Sequence, residues 1–461
     1  MLLLLVGFGQ PATGYRKLEA RFKSTGGAEL AAGRTQDGAG ANPPEWPAGN
    51  GKARLPEATR STGDKPVVCL VGGTRPEGLK LGPVVAAMTE RGRLRPLVVA
   101  SGQHPIMFDQ ALAAFRLQPD VTMPLARSAG GQAELASRLL PCLDTLFAAE
   151  RPSAVLVQGD TSTTLAAALA AFWRRIPVVH LEAGLRSWDI AAPFPEEGNR
   201  KLVGQISSLH LAPTPRAAKN LSAEGIVGPQ VLTIGNTIVD AARTLSCRPG
   251  SYSDPRLAEV AARARARHRR LVLTTVHRRE SWGEPLRRIL AAVADLVAAH
   301  PDVELVVPAH PNPLVRDEVW RILGFLDRVT ITEPLPYVDV VRLLKCADLV
   351  LTDSGGIQEE VVSFGVPVLV LREVTERMEA VESGIAHLVG SHRETILQVA
   401  TRVLSQRGPE WPRRAVAASP FGDGRARYRA EEAVAWHLGL QPEPPAPFVP
   451  AQPDLAAVVA S

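Results

Sequence analysis

The sequence predicts an α/β protein: two doubly wound domains facing a cleft. Three observations carry that prediction. Short Val/Leu-rich runs alternate with segments of helical apolar spacing from residue 66 to residue 440. The runs are continuously apolar rather than alternating, which marks strands buried on both faces in a parallel sheet. The runs also form two series, in a chain of 461 residues, longer than one hydrophobic core supports.

The first series is Val67–Val71, Leu97–Ala100, Ala154–Val157, Val178–Leu181, Leu209–Ala212 and Val231–Ile234. The second is Leu271–Thr275, Val303–Val307, Val329–Ile331, Leu349–Leu351 and Val368–Leu371. Segments such as Leu165–Trp173 and Leu286–His300 carry helical spacing between them. Pro249, Gly250, Ser251 and Pro255 cluster near Thr237–Asp254 and mark the break. An N-terminal Rossmann-like domain over 65–238 and a C-terminal one over 239–420 follow. Residues 1–64 are rich in Gly, Ala, Pro and Arg after residue 24 and read as a disordered extension. Their Gly7-Phe8-Gly9-Gln10-Pro11-Ala12 matches a loose dinucleotide pattern, but no strand–helix–strand unit continues it. Residues 441–461 are Pro- and Ala-rich and read as a disordered tail.

Composition narrows the function. The net charge of +5 is modest and the basic residues are scattered, with clusters at Arg263–Arg270 and Arg413–Arg429. No aromatic–basic interleaving suggests base stacking, so no nucleic-acid partner is expected. The four cysteines, Cys69, Cys142, Cys247 and Cys346, lack zinc or C-x-x-C spacing and read as small buried hydrophobes in a reducing compartment. No apolar run reaches the ~20 residues of a membrane helix, so no membrane partner is expected. Met1–Val6 resembles a short signal core without preceding basic residues or a cleavage site, and a cytoplasmic protein is expected.

Parallel sheets bind ligands outside the carboxyl ends of their strands, and two such sheets bind them in the cleft between. Leu349–Leu351 runs into Thr352-Asp353-Ser354-Gly355-Gly356, followed by helical spacing at Ile357, Val361, Val362 and Phe364. Gly355 and Gly356 allow close backbone approach, and free helix N–H groups favour an anion by about 0.3–1 kcal/mol. Glu360, one turn on, suits the hydroxyls of a ribose. The segment suggests a nucleotide diphosphate; without a ligand it is a strand–turn–helix crossover. Arg75 and Lys80 flank the Gly-rich turn after Val67–Val71 and suit a diphosphate leaving group.

Three carboxylates, Asp160, Glu182 and Glu196, meet at the same rim, and His277 and His310 come from the facing domain. Singly, each has an ordinary reading: Asp160 as a helix N-cap, Glu182 paired with Arg186, each histidine as a structural hydrogen-bonder. Together they suit acid–base catalysis, because clustered carboxylates push one another's proton affinities apart. The chain has no HExxH, G-x-S-x-G or P-loop motif.

In this order, these segments resemble the non-hydrolysing UDP-N-acetylglucosamine 2-epimerases over about residues 66–440. The likeness is carried by Gly73-Thr74-Arg75-Pro76-Glu77, Gly159-Asp160-Thr161, His180-Leu181-Glu182-Ala183-Gly184-Leu185-Arg186, Pro195-Glu196-Glu197, Gly235-Asn236-Thr237, His277-Arg278-Arg279-Glu280, Asp353 to Glu360, and Thr375-Glu376-Arg377. Phe421-Gly422-Asp423-Gly424 resembles the family's C-terminal signature, which implies a last helix, 421–440, packing back on the N-terminal domain.

The resemblance implies a fold like that of the type B glycosyltransferases. It implies reversible conversion of UDP-N-acetylglucosamine to UDP-N-acetylmannosamine by elimination and re-addition of UDP, with neither metal nor cofactor. It implies a homodimer and a role in supplying cell-surface polysaccharide. Asp160, Glu182, Glu196 and His277 match the family's acid–base and site residues. Arg75, Lys80, Ser354, Gly355, Gly356, Glu360 and Arg377 match its UDP contacts. Gln103, Glu196, Arg278 and His310 match a second site at which bacterial members are activated by their own substrate. Val340 replaces a frequent aromatic near the uracil, Met378 the usual proline, and Ile106 an activator-binding glutamine of some members. Two alternatives stay open: an epimerase of a related UDP-acetamido sugar or uronic acid, and a type B glycosyltransferase.

Overall fold

The computed structural model describes residues 65–125, 130–406 and 419–450. The expected extension 1–64, with its Gly7–Ala12 motif, and residues 451–461 lie outside the described residues.

The first sheet holds β1 (Val67–Gly72), β2 (Arg95–Ala100), β3 (Val121–Thr122), β4 (Ala154–Gln158), β5 (Val178–Leu181), β6 (Leu209–Ala212) and β7 (Val231–Thr233). All neighbours are parallel, in the order β3-β2-β1-β4-β5-β6-β7. The second sheet holds β8 (Arg270–Thr275), β9 (Val303–Pro308), β10 (Val329–Thr332), β11 (Leu349–Thr352), β12 (Val368–Val370) and β13 (Ala386–Leu388). Its order is β10-β9-β8-β11-β12-β13, again all parallel. Strand order reverses between β1 and β4 in one sheet and between β8 and β11 in the other. Those two reversals are the crevices where doubly wound sheets take ligands.

The continuous apolar runs have the expected cause. Val68, Leu70, Leu156 and Val179 face one layer of helices, while Cys69, Val71, Val155 and Val157 face the other. A fully buried Leu or Val contributes roughly 1.5–3 kcal/mol through its removal from water. The helix Thr237–Ser246 joins the halves: Val239, Ala242 and Leu245 share one core cluster with Leu79 of the first half and with Leu273 and Val341 of the second. The last helix, Ala426–His437, returns to the first sheet, where Ala430, Ala433 and Val434 join the core of Leu81 and Val84. Asp240 accepts from the N–H groups of Ala426 and Arg427 and so caps that helix at its electropositive end. Buried Glu431 pairs with Arg93 at 2.6 Å.

Three expectations need correction. β3 and β13, two and three residues long, were not anticipated; so short a strand leaves no readable period. The tail is ordered through residue 450, because Phe448 is buried and its N–H donates to Thr233 O at 2.7 Å. Of the cysteines only Cys69 is buried; Cys247 is exposed at the C-terminal end of helix Thr237–Ser246.

Candidate active site

The N-terminal wall begins at β1. Glu77, fully buried, accepts from the N–H groups of Gly73 (3.0 Å) and Thr74 (2.8 Å), and from Thr161 Oγ1 (2.7 Å). It therefore ties the turn that carries Arg75 to the turn that carries Asp160. Thr161, rather than Asp160, caps the following helix, accepting from Thr164 N at 3.1 Å. Asp160 instead holds Arg200 at 2.7 Å, and Arg200 also pairs with Glu197 at 3.1 Å. Glu196 opens the helix Glu196–Ile206 half-buried; burial raises its pKa and the charge of Asp160 adds to the rise.

Glu182 follows β5 with φ +65°, a left-handed conformation that costs a non-glycine residue about 1–3 kcal/mol. Its carboxylate is held on several sides. It forms an ion pair with Lys80, accepts from Gln158 Nε2, and accepts from Asn236 Nδ2 at 3.4 Å. The ordinary reading, a pair with Arg186, does not hold: Arg186 binds Glu224 at 2.6 Å. Burial raises the Glu182 pKa; Lys80 opposes that, and Glu359 reinforces it. For Lys80, burial works against the charge, but Glu182 and Glu359 outweigh it and the pKa rises.

The C-terminal wall begins at β8 and β11. Asp353 is fully buried and receives the N–H groups of His277 (3.0 Å) and Arg278 (2.9 Å) and the hydroxyl of Ser281 (2.9 Å). It also meets His277 Nδ1 at 3.0 Å. Burial works to raise its pKa, but the His277 and backbone donors win and hold it low. With Nδ1 engaged by Asp353, Nε2 is the His277 ring atom left for proton transfer.

Ser354 caps the helix Gly355–Val362, accepting from Ile357 N at 3.5 Å. The Arg377 guanidinium lies against this turn: a side chain at Gly355 would meet Arg377 Cζ at 3.4 Å. Arg377 is held by Glu359 at 2.9 Å and Glu376 at 3.3 Å. Glu360 is buried, and burial followed by the Glu359 charge pushes its pKa up to about 7. Its carboxyl faces the hydroxyl of Tyr337, and among the described residues neither its Oε2 nor that hydroxyl has a partner of normal hydrogen-bond geometry. The Arg75 guanidinium lies 5.8 Å from the centre of the Tyr337 ring, so Arg75 and Glu360 border one space.

The walls touch. Asn236 Nδ2 donates to Glu182 of one wall and, at 3.1 Å, to Glu359 of the other. Lys80, Glu182, Asn236, Glu359 and Arg377 thus form one unbroken chain across the cleft. A cavity of about 40 Å³ opens beside it, bordered by Arg186, Thr214, Asn236, Glu359 and Arg377. A wider groove of about 540 Å³ lies elsewhere, beside Asp254, Trp320 and Pro336, and none of the carboxylates above lines it. Among the described residues, no group of three or more His, Cys, Asp or Glu is placed to hold a metal ion.

Residues 86–435 match the family model for UDP-N-acetylglucosamine 2-epimerase. The chain belongs to the UDP-N-acetylglucosamine 2-epimerase family. It is an isomerase by that membership. The Bacillus subtilis UDP-N-acetylglucosamine 2-epimerase is 41% identical over 381 residues, covering 83% of this chain and 98% of the relative. A 2.2 Å crystal structure of a Listeria monocytogenes protein described as a UDP-N-acetylglucosamine 2-epimerase superposes with TM-score 0.76 at 38% identity, covering 84% of this chain and all of that one. The Neisseria meningitidis UDP-GlcNAc 2-epimerase bound to UDP-GlcNAc superposes with TM-score 0.70 at 34% identity, covering 81% of this chain and all of that one.

Six residues that stand in or beside the sequence motifs without an expected role hold the site: Glu77, Gln158, Arg200, Asn236, Asp353 and Glu359. Asp353 and Glu359 stand inside the Ser-Gly-Gly segment, yet nothing local separates Glu359 from Glu360. The residues expected at a second site flank the same turns. Gln103 Oε1 accepts from Thr163 Oγ1 at 2.7 Å, close to the Asp160 turn. His310 packs on Trp282 with ring centres 5.7 Å apart, and burial and then His277 lower its pKa. Burial, with Arg372, also lowers the pKa of Arg278. Ile106 is 71% exposed, and Val340 packs against the core cluster around Val341.

Proposed function

We propose that the protein interconverts UDP-N-acetylglucosamine and UDP-N-acetylmannosamine. The C2 hydrogen is not beside a carbonyl and is a poor acid, so its removal must accompany departure of UDP. A base takes the C2 proton, the electron pair forms the C1–C2 double bond, and the C1–O bond breaks to release UDP. A proton then enters C2 from the other face, and UDP adds back to C1. Glu182, Asp160, Glu196 and His277 are the acid–base and site groups. Arg75, Lys80, Arg377 and the N–H groups of the Gly355–Gly356 turn take the diphosphate, and Glu360 takes the ribose.

One observation carries this reading. The carboxylate of Glu182 is linked to Arg377 through Asn236 and Glu359 alone, which supports proton transfer and leaving-group departure at one site. The test is proton NMR of UDP-N-acetylglucosamine in heavy water with the protein added. Deuterium should enter C2 and the 2-epimer should appear; a C2 signal unchanged over long incubation overturns the reading.

We propose further that Gln103, Glu196, Arg278 and His310 form an activator site, and that the protein works as a cytoplasmic homodimer. Trp173 (63% exposed), Trp188 (55%) and Phe194 (77%) are large apolar side chains left at the surface of the first half, where contact with a second copy would cover them. Sedimentation should give twice the chain mass, and Trp173→Glu should halve it.

A further inference from the structure

We infer that Glu359 is a positioning residue for the proposed reaction: it holds Arg377 at the Gly355 turn and, through Asn236, sets the carboxylate of Glu182. Seating of the diphosphate and readiness for proton transfer are then coupled across the cleft. The inference rests on the reading of Glu182 and Arg377 given above.

Glu359 divides its two oxygens between the walls. Oε1 accepts from Arg377 Nε at 2.9 Å, and Oε2 accepts from Asn236 Nδ2 at 3.1 Å. The same Nδ2 donates to Glu182 Oε1 at 3.4 Å. Asn236 has no freedom to drift. Its Oδ1 accepts from Ile238 N at 3.1 Å, and its own N–H donates to Phe421 O at 2.7 Å. One pinned amide therefore grips two carboxylates from opposite halves of the chain.

A counter-ion role alone does not account for this arrangement. Arg377 already has Glu376, and Glu359 is only 2% exposed, where an ionised carboxylate is expensive to keep. The charged groups facing Glu182 are Lys80 from helix Arg75–Arg91, Glu359 from helix Gly355–Val362, and Arg377 from the loop before helix Met378–Glu382. Glu359 is the like charge among them. Beyond the effect of burial, it raises the proton affinity of Glu182, while Lys80 and Arg377 lower it. Glu359 also competes with an incoming diphosphate for Arg377, since that guanidinium lies against the Gly355 turn.

The test compares Glu359→Gln, Glu359→Asp and Asn236→Ser, the last keeping a capping oxygen while losing the reach to Glu182. UDP binding is measured by calorimetry, and kcat, KM and their pH profiles by C2 deuterium exchange. Glu359→Gln should lower kcat about tenfold while UDP binds as tightly as in the wild type or more tightly. Its acidic limb, where Glu182 must be ionised, should move to lower pH, because a neighbouring negative charge has been removed. Glu359→Asp should keep the limb in place. Asn236→Ser should lower kcat and leave UDP binding unchanged, and it reports on the link if Glu359→Gln fails to fold. Parallel loss of UDP affinity and kcat, or an unmoved acidic limb in Glu359→Gln, overturns the inference. If Glu182→Gln is silent while both Glu359→Gln and Asn236→Ser match wild type, this inference alone falls. If Glu182→Gln exchanges like wild type, the reading of the site falls with it.

Discussion

At the carboxyl ends of β4 and β5 the turns carry Asp160 and Glu182; at the ends of β8 and β11 they carry His277 and Ser354–Gly356. The turns after β8 and β11 flank the reversal of strand order in the second sheet; in the first sheet the turn after β4 borders the reversal and the turn after β5 lies one strand further out. The fillings are opposite. The first wall presents carboxylates, each tied to a cation: Asp160 to Arg200 and Glu182 to Lys80. The second presents a cation, Arg377, tied to carboxylates, over a helix N-terminus that prefers anions. The difference teaches that one architecture, used twice, can divide a reaction. On the proposed reading the first wall supplies most of the proton-transfer groups and the second most of the leaving-group contacts, with His277 on one side and Arg75 and Lys80 on the other crossing that division.

That division can be broken by experiment. Glu182→Gln should cut C2 deuterium exchange about 10³-fold while calorimetry shows UDP binding in the wild-type range. Parallel loss of both would erase the distinction between the walls. Glu360 tests the second wall by pH. Its carboxyl rises from 4.5 to about 7 in the folded chain, which therefore holds that proton more tightly than the unfolded chain. The contribution to stability is complete below about pH 4.5 and is lost as pH rises through about 7, amounting to about 3 kcal/mol. Denaturant midpoints should fall across that window in wild type and stay flatter in Glu360→Gln; equal slopes contradict the assignment.

Arg377→Met should weaken UDP binding about 10²-fold, or about 2.7 kcal/mol, while leaving less mark on kcat at saturation. Tight UDP binding in that variant would move the diphosphate clamp elsewhere. The smallest effect belongs to Asp353→Asn, which loosens the His277 turn without removing the imidazole. A loss of about tenfold in kcat with UDP binding intact is expected, and saturation kinetics would show it. An unchanged kcat would demote His277 to structure.

Much of the fold was legible because continuous apolar runs have one stable use, a sheet covered on both faces. The site turns were legible for a related reason: Gly, His and acidic residues at strand ends satisfy no packing need. Partnerships were not. Lys80 and Glu182 lie 102 positions apart, and nothing local says that Glu182 prefers Lys80 while Arg186 prefers Glu224. Glu359 and Glu360 are adjacent on one helix, and only the tertiary position of Asn236 separates their tasks. Composition misled in the tail, where prolines concealed anchors at Gln441 and Phe448, and at Cys247, whose exposure follows from its place at a helix end.

The junction at Asn236 and Phe421 has a mechanical consequence. The polypeptide passes between its two halves once on the way out and once on the way back, and the passages are stitched together there by a hydrogen bond of 2.7 Å. The two halves are therefore tethered at the same spot where Asn236 also holds Glu182 and Glu359, so a displacement of one half against the other would be felt first by the carboxylates of the site.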